Sequence, residues 1–273
     1  MIAEKKPDAP MAFTLIELLV ALAIIAIVAA LLLTALGGGK LRARQVECLN
    51  NVRQLSMASF MYAGDYSRHA GYNNPAFPGG NWMGTLMEYY ASNNTLRVCP
   101  SAPVHEPAPT HGNGQGSADR AWVRWTSDGN TMFYGSYGYN GWLYSDLKFS
   151  EPGDPKQLQL FTRESSIQKP SRTPVFFDEN WVDTWPEEID QPSTNLYNGL
   201  PIGPSVNLIG RCTIARHGGR SPSGAPRYIA PGQMMPGAIN IGMSDGHTEL
   251  VRLEDLWKCY WHLDWQPPSV RPP

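Results

Sequence analysis

The chain has 273 residues, and Lys+Arg 22 against Asp+Glu 24 gives a formal net charge of −2, which excludes nucleic-acid binding through a basic surface. With 42% hydrophobic and 17% charged residues it buries a core, while 26 Gly and 24 Pro exclude an all-helical protein because so many breakers demand turns, loops and short strands. The length allows one large domain or two small ones.

Residues 13–36 read FTLIELLVALAIIAIVAALLLTAL, with Glu17 the only charge. Roughly 20 apolar residues span a bilayer as a helix, so a transmembrane segment is predicted here, after a polar leader, residues 1–12, that carries Lys5 and Lys6. A secretory signal peptide cut near Ala35 or Gly37 is the competing reading, but its apolar core is usually about 7 to 15 residues. A carboxylate inside an apolar helix costs ~2.5 to 3.5 kcal/mol, so Glu17 is expected to have a partner. A position near the helix N-terminus, where the macrodipole favours an anion, accounts for its tolerance.

Gly37, Gly38 and Gly39 predict a hinge, at roughly 1 kcal/mol each relative to Ala in a helix. Beyond them Cys48, Val52, Leu55, Ser59 and Tyr62 recur at helical spacing, which predicts an amphipathic helix over 37–64, ending near Ala63 before Gly64-Asp65. From Asp65 to Gly129 the chain is loop-rich, with a short helix expected within Trp82 to Tyr90. Strand-like runs follow at Trp122 to Thr126, Met132 to Tyr139 and Val175 to Phe177. Ile239, Ile241 and Met243 then alternate before Asp245-Gly246, which predicts a β-hairpin with a type I′ turn. The resulting class is α+β, a long N-terminal helix on a loop-rich antiparallel sheet domain spanning 65–273.

Four cysteines without CxxC spacing argue against structural zinc and for disulfides; three pairings are open, with Cys48–Cys99 favoured and Cys212–Cys259 left by elimination. Asp178, Glu179, Asp183, Glu187 and Glu188 include conceivable acid/base pairs but read more simply as a solvated loop. Nine Trp and 12 Tyr would suit a carbohydrate platform, although most are expected in the core.

The segment A-FTLIELLVALAIIAIVAALL resembles the N-terminus of type IV prepilins and of the pseudopilins of type II secretion. That resemblance implies removal of the leader by prepilin peptidase between Ala12 and Phe13, N-methylation of Phe13, and a packing role for Glu17; here Ala12 stands where Gly is usual. A cut there places a new amino group on Phe13 one helical turn from Glu17. Lys40, Arg42 and Arg44 after the apolar run lean towards the opposite topology, but the resemblance requires a cytoplasmic leader.

Further pieces resemble the H-x9-DG branch of that superfamily: Cys48-Leu-Asn-Asn-Val-Arg-Gln-Leu55 with Tyr62-Ala-Gly-Asp65, Val98-Cys99-Pro100, Ser136-Tyr-Gly-Tyr-Asn140, and Arg216-His217-Gly-Gly219 with Ser244-Asp245-Gly246-His247. In this chain 27 residues, not nine, separate His217 from Asp245, the excess being a Pro- and Gly-rich insertion around Ser221 to Pro236. Such an insertion, if it lies on the surface, is thermodynamically cheap.

The resemblance implies a structural subunit, not an enzyme. The expected partners are further copies in a filament, prepilin peptidase, an inner-membrane assembly platform and the inner membrane, with no nucleic acid. The expected location is a single-pass inner-membrane protein with a periplasmic domain, then a periplasmic or cell-surface filament. Some pseudopilins hold calcium in a C-terminal loop, and Asp245, His247 and His217 are weak candidate ligands, but the turn already accounts for Asp245-Gly246, so no cofactor is expected. The alternative function is a membrane-anchored extracytoplasmic binding protein, conceivably for carbohydrate, exported by the same route without polymerising.

Overall fold

The computed structural model describes residues 13–105, 113–148, 154–200 and 207–273, apart from the side chains of 32–37. The expected leader, including Ala12, lies outside the described residues. The chain forms two compact units, one ending at Lys40 and one spanning Leu41–Pro273.

Helix α1 runs from Leu15 to Tyr66. It is not broken at Gly37, Gly38 and Gly39, contrary to the expected hinge. Once a helix is nucleated each added residue gains a hydrogen bond, and flanking Leu, Ala, Lys and Arg are strong helix formers, so a short glycine run is carried along. In the second unit the amphipathic pattern is realised: Cys48, Val52, Leu55, Ser59 and Tyr62 are all buried, while Val46, Met57, Phe60 and Met61 face outward. The short helix α2 is Asn81–Thr85.

The strands are β1 (Trp122–Trp125), β2 (Met132–Gly135), β3 (Tyr137–Asn140), β4 (Pro174–Asp178), β5 (Asp183–Thr184), β6 (Ala238–Met243) and β7 (Thr248–Arg252). Strands β1 and β2 form their own antiparallel ribbon, and the main sheet has the order β5-β3-β4-β6-β7. All its pairings are antiparallel except the short β3–β5 contact. Central strands β4 and β6 are buried along their whole length, whereas the outer strand β7 buries only Val251 and exposes Glu249, Leu250 and Arg252. Charges on such an edge discourage further strand addition.

Within the second unit α1 packs on β6, where Gly242 permits the closest approach. A Cβ there would lie 2.2 Å from Ser56 Oγ and 3.0 Å from a Val52 methyl. Asn240 Nδ2 donates to the Gln45 carbonyl at 3.2 Å on the same face. The predicted hairpin is present, but its turn is not type I′. Gly246 N–H donates to Met243 O and Met243 N–H to His247 O, so the loop is Ser244-Asp245-Gly246 with positive φ at Gly246 and not at Asp245. A three-residue loop of this kind needs only one left-handed position, and Gly supplies it.

Trp82, Trp122, Trp142, Trp257, Trp261 and Trp265 are fully buried, and their indole N–H groups donate to backbone carbonyls. These rings are core and leave no tryptophan platform for sugar among themselves.

Candidate functional site at the N-terminal segment and behind the disulfide

Thr14 immediately precedes α1 and Glu17 is its third residue, the T-x-x-E pattern of a capping box. Glu17 Oε2 accepts from both the backbone N–H and the hydroxyl of Thr14, each at 2.8 Å, and Glu17 N–H donates back to Thr14 Oγ1 at 3.3 Å. Among the described residues no cation lies against Glu17. Phe13 is 74% exposed, and Leu15, Ile16, Leu18, Leu19, Val20, Leu22, Ile24, Ile25, Ile27, Val28 and Leu31 are exposed as well. A helix apolar on every side cannot be satisfied by water and calls for lipid or other helices. Among the described residues no helix is long and apolar enough to cross a membrane.

In the second unit Cys48 on α1 is joined to Cys99 by a disulfide across 51 positions. The other expected pair does not form. Cys212 and Cys259 are free and buried. Burial pushes the Cys259 thiol up to about 12 and that of Cys212 well above its ordinary value, so both rest as neutral thiols of low reactivity in the core.

Behind the disulfide stands a charged group with no solvent contact. His217 Nε2 lies 3.6 Å from Cys99 Sγ and 3.3 Å from Asp178 Oδ2. Asp178 ends β4; its Oδ1 accepts from Arg216 Nη1 at 3.0 Å and its Oδ2 from the Asn240 N–H at 2.7 Å. Burial alone would raise the Asp178 carboxyl, but His217, Arg216 and the Asn240 amide together hold it below its usual value. Arg216 is equally buried, and its guanidinium donates to Asp178 and to the carbonyls of Ala118, Ser136, Ser117 and Glu179. All five of its donors are thereby used.

The acidic run is therefore not a solvated loop. Asp178, Glu179 and Asp183 are buried, and only Glu187 and Glu188 reach solvent. Asp183 Oδ2 accepts from Asn81 Nδ2 at 2.7 Å and from the Tyr144 hydroxyl at 3.1 Å. Neither Glu179 oxygen has a hydrogen-bond partner among the described residues, and burial pushes its carboxyl well above the ordinary value. Gly138 makes its space, since a Cβ at that position would fall 1.5 Å from Glu179 Oε2.

His217 and Asp245 do not meet. His217 pairs with Ala238 at the start of β6, and Asp245 lies past its end, about 20 Å away along a six-residue strand. Asp245 instead holds His247, whose Nδ1 is 2.5 Å from its Oδ1, on the exposed hairpin loop. The insertion between them is a loop closed at its neck: His217 N–H donates to Ala238 O at 2.9 Å and Ala238 N–H to His217 O at 3.0 Å. It is not a loose surface excursion, because Ala225, Ile229 and Met235 within it are buried in the core.

Residues 12–33 match the family described as Prokaryotic N-terminal methylation motif. The prepilin-type segment expected from FTLIELLVALAIIAIVAALL is thus present. No curated protein and no solved structure matches the chain. Thr14, which the T-x-x-E spacing signals, joins Glu17 at the start of the helix. Arg216, which the sequence shows only as the residue before His217, proves to be the buried partner of Asp178.

Proposed function

We propose that the chain is a structural subunit of a type IV pilus-like or type II secretion pseudopilus-like filament, processed by prepilin peptidase between Ala12 and Phe13. The observation that carries this reading is the match of residues 12–33 to the methylation motif, in which Thr14 and Glu17 start a helix whose apolar side chains are exposed on all sides. The apolar run of 13–36 is first held by the inner membrane, with the sheet domain outside, and then by the same run of neighbouring copies. Such transfer exchanges lipid contacts for helix contacts and requires no catalysis by the subunit. Glu17 uses one carboxylate oxygen on Thr14, which leaves the other for the amino group that cleavage creates on Phe13.

The H-x9-DG branch is the finer assignment. Taking out residues 219–236 leaves nine between His217 and Asp245, and the loop so removed is the one closed by the His217–Ala238 pair. In this reading Arg216-His217 and Ser244-Asp245-Gly246 are structural landmarks at the two ends of β6.

The test is mass spectrometry of the N-terminal peptide from native membranes and from sheared surface material. A peptide starting at N-methylated Phe13 in both fractions is expected. A chain starting at Met1 and absent from sheared material overturns the filament reading in favour of an unprocessed anchor.

A further inference from the structure

We propose that the chain with Cys48 and Cys99 as thiols holds one thiophilic divalent cation, of the zinc class, between those two sulfurs, His217 Nε2 and Asp178. The disulfide and the metal are then alternative ways of filling one buried position. The donor atoms of Cys48, Cys99 and His217 all lie within 4.8 Å of one another, and all three residues are buried. Zinc takes sulfur at about 2.3 Å and nitrogen or oxygen at about 2.0 to 2.2 Å in a tetrahedron, which sets ligand-to-ligand edges of about 3.3 to 3.8 Å. The Cys99 Sγ to His217 Nε2 distance of 3.6 Å and the His217 Nε2 to Asp178 Oδ2 distance of 3.3 Å already match such edges. Breaking the bond lets the two sulfurs part, and the Asp178 carboxylate, which stands outside the group of Cys48, Cys99 and His217 donors, must close towards them from its place beside His217.

Charge and donor type agree. Two thiolates and one carboxylate against a divalent cation and the Arg216 guanidinium sum to zero, so a fully buried site carries no net charge. Sulfur and imidazole donors select zinc-class ions over calcium, unlike the oxygen ligands that Asp245 would offer.

The fold holds these donors without the disulfide. Asn51 Nδ2 donates to the Val98 carbonyl at 3.2 Å, tying α1 to the segment before Cys99. The Arg97 carbonyl accepts from Ser136 N–H, His217 is clamped by Ala238, and Asp178 by Arg216 and Asn240. The disulfide state passes to the metal state by a balanced step: a phosphine reductant and one water give two thiols and a phosphine oxide, and metal binding then releases the two thiol protons.

The experiment uses the full chain in detergent, oxidised or reduced anaerobically with a water-soluble phosphine, with zinc titrated against a chromophoric chelator and cobalt(II) as the spectroscopic probe. The reduced chain is expected to bind one equivalent, with thiolate-to-cobalt charge transfer and the visible bands of a tetrahedral ion, and the oxidised chain none. His217→Gln is expected to weaken zinc by about 100-fold or more, and Cys48→Ser with Cys99→Ser to abolish binding. Retention of zinc in either variant places the metal elsewhere and overturns the proposal. So does a reduced chain that binds no stoichiometric zinc, whether its circular dichroism stays native or is lost, because the segments that carry the donors are held by contacts other than the disulfide.

Discussion

Glu17 Oε2 accepts hydrogen bonds from both the backbone N–H and the hydroxyl of Thr14, each at 2.8 Å. The carboxylate therefore has a local task at the start of α1 before any neighbour is considered. Two substitutions separate that task from charge pairing with the Phe13 amine. Glu17→Gln keeps an oxygen acceptor for Thr14 but removes the charge, and Thr14→Val keeps the charge but removes the hydroxyl. Glu17→Gln is expected to insert normally and to lose sheared filament as fully as Glu17→Ala. Thr14→Val is expected to retain filament while its first helical turn exchanges amide protons about fivefold faster, the equivalent of a lost cap near 1 kcal/mol. Normal filament yield from Glu17→Gln would leave capping as the whole role of the residue.

Arg216 and Asp178 form a pair with no solvent contact, and removing one partner strands the other. Arg216→Met is expected to destabilise the second unit by about 3 to 5 kcal/mol, read from urea unfolding in detergent. Combining it with Asp178→Asn should recover part of that loss, and the two single costs should not add. Additive costs would mean that the backbone carbonyls, not the carboxylate, set the value of the guanidinium.

The elements with a strong local period were legible from the residues. Cys48, Val52, Leu55, Ser59 and Tyr62 face the core as their spacing predicts, and β6 and β7 flank the Asp245-Gly246 turn. What the sequence did not disclose depends on long-range closure. Ser136 divides one expected strand into β2 and β3, and the two-residue β5 pairs parallel to β3, a contact no local pattern encodes. Asp178, Glu179 and Asp183 read as surface because acidic runs usually are. They are buried because Arg216, Arg211, Asn81 and Gly138, all distant in the chain, supply charge, hydrogen bonds or room. The motif residues of the candidate site were visible, whereas their partners were not.

The packed state of the insertion can be checked within one loop. Ile229 is buried and its N–H donates to Thr194 O at 2.8 Å, while its neighbour Tyr228 is 72% exposed. Ile229→Ala is expected to cost about 2 to 5 kcal/mol, as a core truncation does, and Tyr228→Ala to stay within about 0.5 kcal/mol. Equal, small effects at both positions would return the insertion to a free surface loop.

Two buried groups give opposite pH dependences. Burial lowers His69 from 6.5 to about 4, and the 3.7 Å approach of the Glu164 carboxyl does not offset it, so His69 is neutral in the folded chain at pH 7. Between pH 6.5 and 4 the unfolded chain takes up a proton that the folded chain refuses; stability from this group is full above about 6.5 and falls, by roughly 3 kcal/mol, as pH drops to 4. Burial raises Asp190 from 3.8 to about 6, and here the folded chain keeps the proton, so its contribution is full below 3.8 and is lost as pH rises through 6. His69→Asn should flatten the acid-side loss and Asp190→Asn should steepen it, as read from unfolding free energies across pH 4 to 7. Parallel curves for the two variants would contradict both assignments.

The Cys48–Cys99 bond has a mechanical consequence. Tension drawn along the N-terminal segment enters the second unit at Leu41 and reaches Cys48 within about two helical turns. There it meets a covalent crosslink to a segment far along the chain, so the load passes into the body of the domain in shear. The helix cannot be unzipped from the sheet turn by turn starting at its pulled end. A pull on the N-terminal segment is thus carried across the second unit by that single bond as well as by the packing of the helix.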